Sequence, residues 1–113
     1  MVGMPDADVF GALANPVRRR LLEELRAGPC AAGELAGRFT LSRPAVAEHL
    51  AVLRDAGLVT EEPRGRYRYY HLAAEPLAGV RDWLTEFERF WPARLTALRD
   101  LVENDTVIVE GEP

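Results

Sequence analysis

Residues 42–58 read SRPAVAEHLAVLRDAGL, and this stretch decides the fold. Ser42 is a favoured N-cap, because its hydroxyl accepts a free N–H of the first helical turn. Val46, Leu50 and Leu53 recur at spacings of four and three, which places them on one side of a helix at 100° per residue. Pro44, Ala47, Glu48 and Ala51 point the other way, with Arg43 at the flank. Gly57 stands where a left-handed C-terminal cap belongs, and Leu58 is the apolar residue that accompanies such a cap. The pattern predicts a helix reaching about Ala56 with one anchored face and one free face. A helix that enters the major groove of DNA needs both. An ordinary core helix with an exposed back has the same periodicity, so the neighbouring segments decide between the two.

Upstream, residues 32–39 form a short helix pattern with Leu35, Ala36 and Phe39 inward, and Thr40-Leu41 is a tight connection to Ser42. Two short helices joined in this way make a helix-turn-helix, here over residues 31–57. Downstream the period changes. Residues 58–62 and 66–72 read as strands joined by Pro63-Arg64-Gly65, a hairpin or wing over 58–72. Farther upstream, residues 6–14 are a helix candidate. Asn15-Pro16 opens the next helix, with Val17, Leu21, Leu22 and Leu25 on one face and Gly28-Pro29 as its stop. A last helix is expected over 76–103, bent or divided by Pro92 near Trp91. Residues 104–113 are expected to be a flexible tail, in which Val107 to Val109 can add a strand. The expected fold is mainly α with a small β-hairpin. It is a single winged helix-turn-helix domain over 1–113, in the order α-α-α-α-β-β-α.

The charges fit such a protein by their distribution rather than by their sum. A net charge of −4 counts against a nucleic-acid binder. From Arg38 to Arg68, however, six arginines face Glu48, Asp55, Glu61 and Glu62, a local excess of two positives. Ser42 and the free N–H groups of the first turn suit a phosphate, Arg43 suits guanine or a phosphate, and Ala47 suits a thymine methyl. At the wing, Arg64, Arg66 and Arg68 have no acidic residue interleaved and can reach phosphates or a narrow minor groove. A solvated hairpin protected from aggregation by its charges is the plainer reading of the same residues. Tyr67 and Tyr69 are placed to bond phosphates, whereas Tyr70 and Leu72 pack inward. His49, at the edge of the apolar stripe, is either a packed, hydrogen-bonded residue or a contact to the DNA backbone. Of Arg18, Arg19 and Arg20, one is expected in a structural ion pair and the others in solvent.

The stretches ALANPVRRRLLEEL, GELAGRFTLSRPAVAEHLAVLRDAGLV and RGRYRYYHL together resemble the ArsR-type transcriptional repressors, over roughly residues 9–91. That resemblance implies a homodimeric winged helix-turn-helix repressor of nearby genes, released from its operator by an inducer in many members. It carries DNA contact to Ser42, Arg43, Pro44, Ala47 and His49 in the recognition helix, and to Arg64, Gly65 and Arg66 in the wing. Glu48 and Arg68 join them from their positions alone. The chain departs from the family at Ala47, where a serine or threonine is common, and at Ala31, where a hydroxyl N-cap is common.

Metal sensing, frequent among such proteins, is not expected. The region before the turn holds the single cysteine, Cys30, and one cysteine builds no soft-metal site without partners. The last helix has no histidine, since His49 and His71 are the only two in the chain. Cys30 reads as a buried packing residue, with a redox role as the alternative, and no cofactor is expected. Leu77, Val80, Leu84, Phe87, Trp91, Leu95 and Leu98 recur at spacings of three and four, widened by Trp83 and Phe90. Pairing with a second copy would cover that stripe, and the same aromatics can line a site for a small apolar effector. No segment has the ~20 continuous apolar residues of a membrane helix and none reads as a signal peptide, so a cytoplasmic location is expected. Neither a phosphate loop nor a nucleophile–base pair is present, so an enzyme is not expected. A winged-helix module that binds protein rather than DNA is the remaining rival.

Overall fold

The computed structural model describes residues 7–93. The elements are α1 (Ala7–Leu13), α2 (Pro16–Leu25), β1 (Cys30–Ala31), α3 (Ala32–Gly37), α4 (Arg43–Asp55), β2 (Val59–Arg64), β3 (Tyr67–Leu72) and α5 (Glu75–Thr85), then a 3-10 turn at Glu88–Phe90. Leu95, Leu98 and the 104–113 tail lie outside the described residues.

The chain divides into two compact units, residues 1–81 and 82–113. The core of the first is built by the apolar faces that the spacing marks. Leu21, Leu22 and Leu25 of α2, Leu35 and Ala36 of α3, and Val46, Leu50 and Leu53 of α4 are all buried. Val9 and Ala12 of α1, Leu58, Val59 of β2 and Tyr70 of β3 complete the cluster. Leu77 and Val80 of α5 pack on its edge.

Local chemistry sets the element ends. The Asn15 side chain accepts from the N–H groups of Val17 at 2.8 Å and Arg18 at 3.1 Å, so α2 starts sharply at Pro16. The Ser42 hydroxyl accepts from Ala45 N–H at 3.2 Å and starts α4. At the other end of α4, Gly57 has φ +79. Its N–H donates to the Arg54 carbonyl, and Leu58 N–H donates to the Leu53 carbonyl, both at 2.9 Å. This pair of bonds is the Schellman closure, and it drops Leu58 into the core. Ala31 has no side chain to cap α3, and half of a capping box replaces it: the Glu34 carboxylate accepts from Ala31 N–H at 3.0 Å.

Two features differ from the expectation. The sheet has three strands, in the order β1-β3-β2, all antiparallel. Cys30 pairs with Tyr70 and Ala31 with Tyr69, and a two-residue strand has no alternation for a sequence to display. The hairpin also turns one residue later than expected. Arg64 pairs with Tyr67, so the loop is Gly65-Arg66, with φ +61 at Gly65 and no positive φ at Arg66. Glycine first in a two-residue loop is the type II′ preference, which matches the strand twist.

Over residues 82–93 the helix expected to bend or divide near Trp91 gives way earlier than that. Regular helix ends at Thr85. The N–H groups of Glu86, Phe87, Phe90 and Trp91 then donate to the carbonyls three residues earlier. Pro92 explains why helix does not resume beyond Trp91, although not the end at Thr85. Its ring would clash with the carbonyl four residues back and it forces Trp91 out of the helical region; Trp91 has ψ 148. Trp83 and Phe87 contact each other with ring centroids 4.8 Å apart. Leu84, Phe87 and Phe90 are exposed.

Candidate nucleic-acid interface

The helix-turn-helix presents α4 with its apolar stripe anchored and its opposite side free. Val46, Leu50 and Leu53 are at most 1% exposed. Ser42, Arg43, Pro44, Ala47 and Glu48 are exposed, and His49 is half-buried at the flank. The side chains at 44, 47 and 51 are small, so the helix backbone can approach a groove floor closely. Arg43 leans back across the motif. A Cβ built on Gly33 of α3 would lie 3.2 Å from its Nη2, so the guanidinium rests on the preceding helix, over a residue with no side chain to obstruct it.

His49 is held by a contact that spacing does not reveal. Arg18 of α2 has Nη1 3.2 Å from His49 Nδ1. Its Nε donates to the Ala12 carbonyl at 2.8 Å and its Nη2 to the Gly11 carbonyl at 3.0 Å. A guanidinium only donates, so Nδ1 accepts and the imidazole carries its proton on Nε2. Arg19 donates to the Leu13 carbonyl at 2.8 Å, and Arg20 lies over the Phe39 ring at 5.3 Å. Among the described residues, carbonyl and ring contacts stand in place of the ion pair expected of this run. Arg18 and Arg19 sit at the C-terminus of α1, where unpaired carbonyls and the helix dipole favour positive charge.

The wing separates its three arginines. Alternation along a strand puts Glu61, Arg68 and Tyr70 on the sheet face that holds the buried Val59, and Glu62, Arg64, Tyr69 and His71 on the opposite face. On the first face, Glu61 accepts from Arg54 at 3.0 Å and from Arg68, which joins the end of α4 to the wing. On the second, Arg64 lies 4.5 Å above the Tyr69 ring and 3.3 Å from Glu62, whose carboxylate also meets His71 at 2.7 Å. The arginines therefore do have acidic neighbours. Glu61 reaches Arg68 and Glu62 reaches His71 across the β2–β3 register, whereas Glu62 and Arg64 are two residues apart on β2 and share a face by strand alternation. Arg66, at the tip, has no partner among the described residues. Tyr67 is exposed, and Tyr70 is buried.

The electrostatics follow from these contacts. Hydrogen bonds from Arg54 and Arg68 hold the Glu61 carboxyl below the usual carboxylate range, and those from His71 and Arg64 do the same for Glu62. Burial pushes the Tyr70 phenol up. Both carboxylates are more acidic in the folded wing than in an unfolded chain. Their stabilisation is therefore complete at neutral pH and is lost as the pH falls through and below about 4. The wing should loosen in acid before the helical core does. Amide exchange of β2 and β3, followed from pH 6 to pH 3, checks this. Glu61→Gln should remove part of the pH dependence, and an unchanged profile would contradict the assignment.

Cys30 is buried and unpaired, opposite Tyr70 in the sheet. Among the described residues no three His, Cys, Asp or Glu side chains cluster closely enough to hold a metal ion, and no helix is long and apolar enough to cross a membrane.

An anchored recognition helix, its supporting helix and a two-strand wing define a winged helix-turn-helix regulator. A helix-turn-helix domain profile matches residues 13–62. The HTH-type transcriptional regulator Rv2034 of Mycobacterium tuberculosis is 44% identical over 94 residues, covering 83% of this chain and 85% of that protein. The transcriptional repressor SdpR of Bacillus subtilis is 32% identical over 80 residues, 71% of this chain and 89% of its own length. Among solved structures, an ArsR-like transcriptional regulator from Rhodococcus sp. RHA1 aligns with a TM-score of 0.69 at 34% identity. That alignment spans 87% of this chain and 90% of the other. The chain belongs to the ArsR family of helix-turn-helix transcriptional regulators, which are not enzymes.

Proposed function

We propose that the protein is a homodimeric repressor that binds a near-palindromic operator, with α4 in the major groove and the β2–β3 wing on the flanking backbone. The observation that carries this is the free side of α4: small side chains on a helix whose other side is locked into the core by Val46, Leu50 and Leu53. Leu84, Phe87 and Phe90 lie exposed in one protomer, which supports pairing through this region with a second copy. A two-fold dimer sets the half-sites about one DNA turn (~34–36 Å) apart.

Of the three wing arginines, Arg66 is the one left to meet phosphate without first breaking an internal contact. Arg66→Ala is expected to weaken binding to operator and random DNA alike, and to reduce the slope of log affinity against log salt by about 0.9 for each phosphate that is no longer neutralised. An unchanged slope would take the wing tip out of the interface.

The experiment that tests the function is a titration against the protein's own upstream DNA and a shuffled duplex at two salt concentrations, with the mass of the free protein from sedimentation equilibrium. Preferential, salt-sensitive binding by a species of twice the chain mass supports the proposal. Equal binding to both duplexes, or a monomer that binds fully, contradicts it.

A further inference from the structure

The geometry points to Glu48 as the residue that reads sequence, by accepting a hydrogen bond from the exocyclic amino group of a cytosine in each half-site. This rests on the placement of α4 in the major groove.

Counting 100° per residue, Glu48 lies about 200° around the helix from Val46, almost directly opposite the buried stripe. It is exposed and has no hydrogen-bond or ion-pair partner among the described residues. Its neighbours on that side, Pro44, Ala47 and Ala51, have no side-chain hydrogen-bonding group. Arg43, the other charged residue in the first two turns, leans back over Gly33. Asp55 shares the side two turns later, at the end of the helix, where Arg54 meets it at 3.5 Å. Within its first two turns, α4 therefore offers the groove floor one ionised group, and a carboxylate only accepts.

That fixes what it can meet. Phosphate repels it. On the groove floor, guanine presents two acceptors and thymine an acceptor and a methyl group, so neither suits it. Adenine N6 donates, but the adjacent N7 acceptor opposes a second carboxylate oxygen. Cytosine N4 donates with no acceptor on the same base edge, and it is the base group that glutamate and aspartate pair with. The negative charge also weakens attraction to DNA at large. Glu48 thus lowers non-specific affinity while it discriminates among bases, in keeping with a chain of net charge −4.

The test is selection from a randomised duplex library by the full chain and by Glu48→Gln at one salt concentration, with the affinity of each for random DNA measured beside it. The wild type should fix a cytosine at one position in each half-site. Replacing it should cost about 5- to 150-fold in affinity. Glu48→Gln should abolish that preference or move it to adenine, whose N6 and N7 a glutamine amide matches, and should bind random DNA more tightly. Because Glu48 is exposed, the thermal unfolding of the variant should match the wild type. An unchanged base preference in Glu48→Gln overturns the assignment while leaving α4 in the groove. A wild type that enriches no sequence at all removes the groove placement itself.

Discussion

Leu50→Ala is expected to lower the free energy of unfolding by about 2–5 kcal/mol, the usual cost of a buried leucine truncated in a core that collapses only partly. Leu50 is fully buried, in the middle of α4, and α4 packs against α1, α2, α3 and β2. A void there would be bounded by several elements, none of which can move in without leaving its other neighbours. A small domain has only about 5–15 kcal/mol in total, so the loss is a large part of the whole. Val52→Ala on the same helix is the control. Val52 is 39% exposed, and its truncation should stay within about 0.5 kcal/mol. Urea denaturation followed by circular dichroism measures both. Similar midpoints for the two variants would mean that the α4 stripe is not the centre of the core.

The parts of the fold that are legible in the sequence are those whose causes are local. Ser42, the Val46, Leu50 and Leu53 spacing, and Gly57-Leu58 each act within a turn or two of helix, so α4 and both of its ends follow from residues 42–58 alone. The Asn15-Pro16 start of α2 is local in the same sense. What escapes depends on pairing across the chain. β1 exists because Cys30 and Ala31 meet Tyr70 and Tyr69, far away in sequence. Glu61 meets Arg68, and Glu62 meets His71, because the register sets β2 beside β3; the Glu62–Arg64 pair, two residues apart on one strand, is the local exception. Arg43 is exposed as its position suggests, but Gly33 on another helix gives it a place to lean. The end of α5 is an intermediate case. Apolar spacings of three and four run on past Thr85, and Pro92 shows that a break is due; the backbone gives up regular helix before the proline, through a turn of tighter hydrogen bonds. Side-chain periodicity reports which face is apolar and is silent about where the backbone changes its pitch.

Arg18 shows how much such a non-local contact can hold, and its removal is the second large effect expected. Arg18→Ala should cost about 1.5–3 kcal/mol, the range for hydrogen bonds to a charged group. One side chain meets three acceptors: the Gly11 and Ala12 carbonyls at the end of α1 and Nδ1 of His49 on α4. Ala12 is 1% exposed, so water cannot easily replace the donor that its carbonyl loses. Arg18→Met separates the contributions, because it retains most of the apolar stem and deletes only the donors. If the hydrogen bonds dominate, Met should destabilise nearly as much as Ala; if packing of the stem dominates, Met should recover most of the loss. The imidazole provides an independent readout. While Arg18 donates to Nδ1, nitrogen chemical shifts should place the His49 proton on Nε2, and in both variants the two tautomers should mix. A proton found on Nδ1 in the wild type would contradict the contact, and wild-type stability in both variants would mean that α1 is held to α4 by apolar packing alone. Because His49 lies on the flank of α4, the bridge joins the end of α1 to the helix proposed to read DNA, and a stability change there should appear as altered operator affinity.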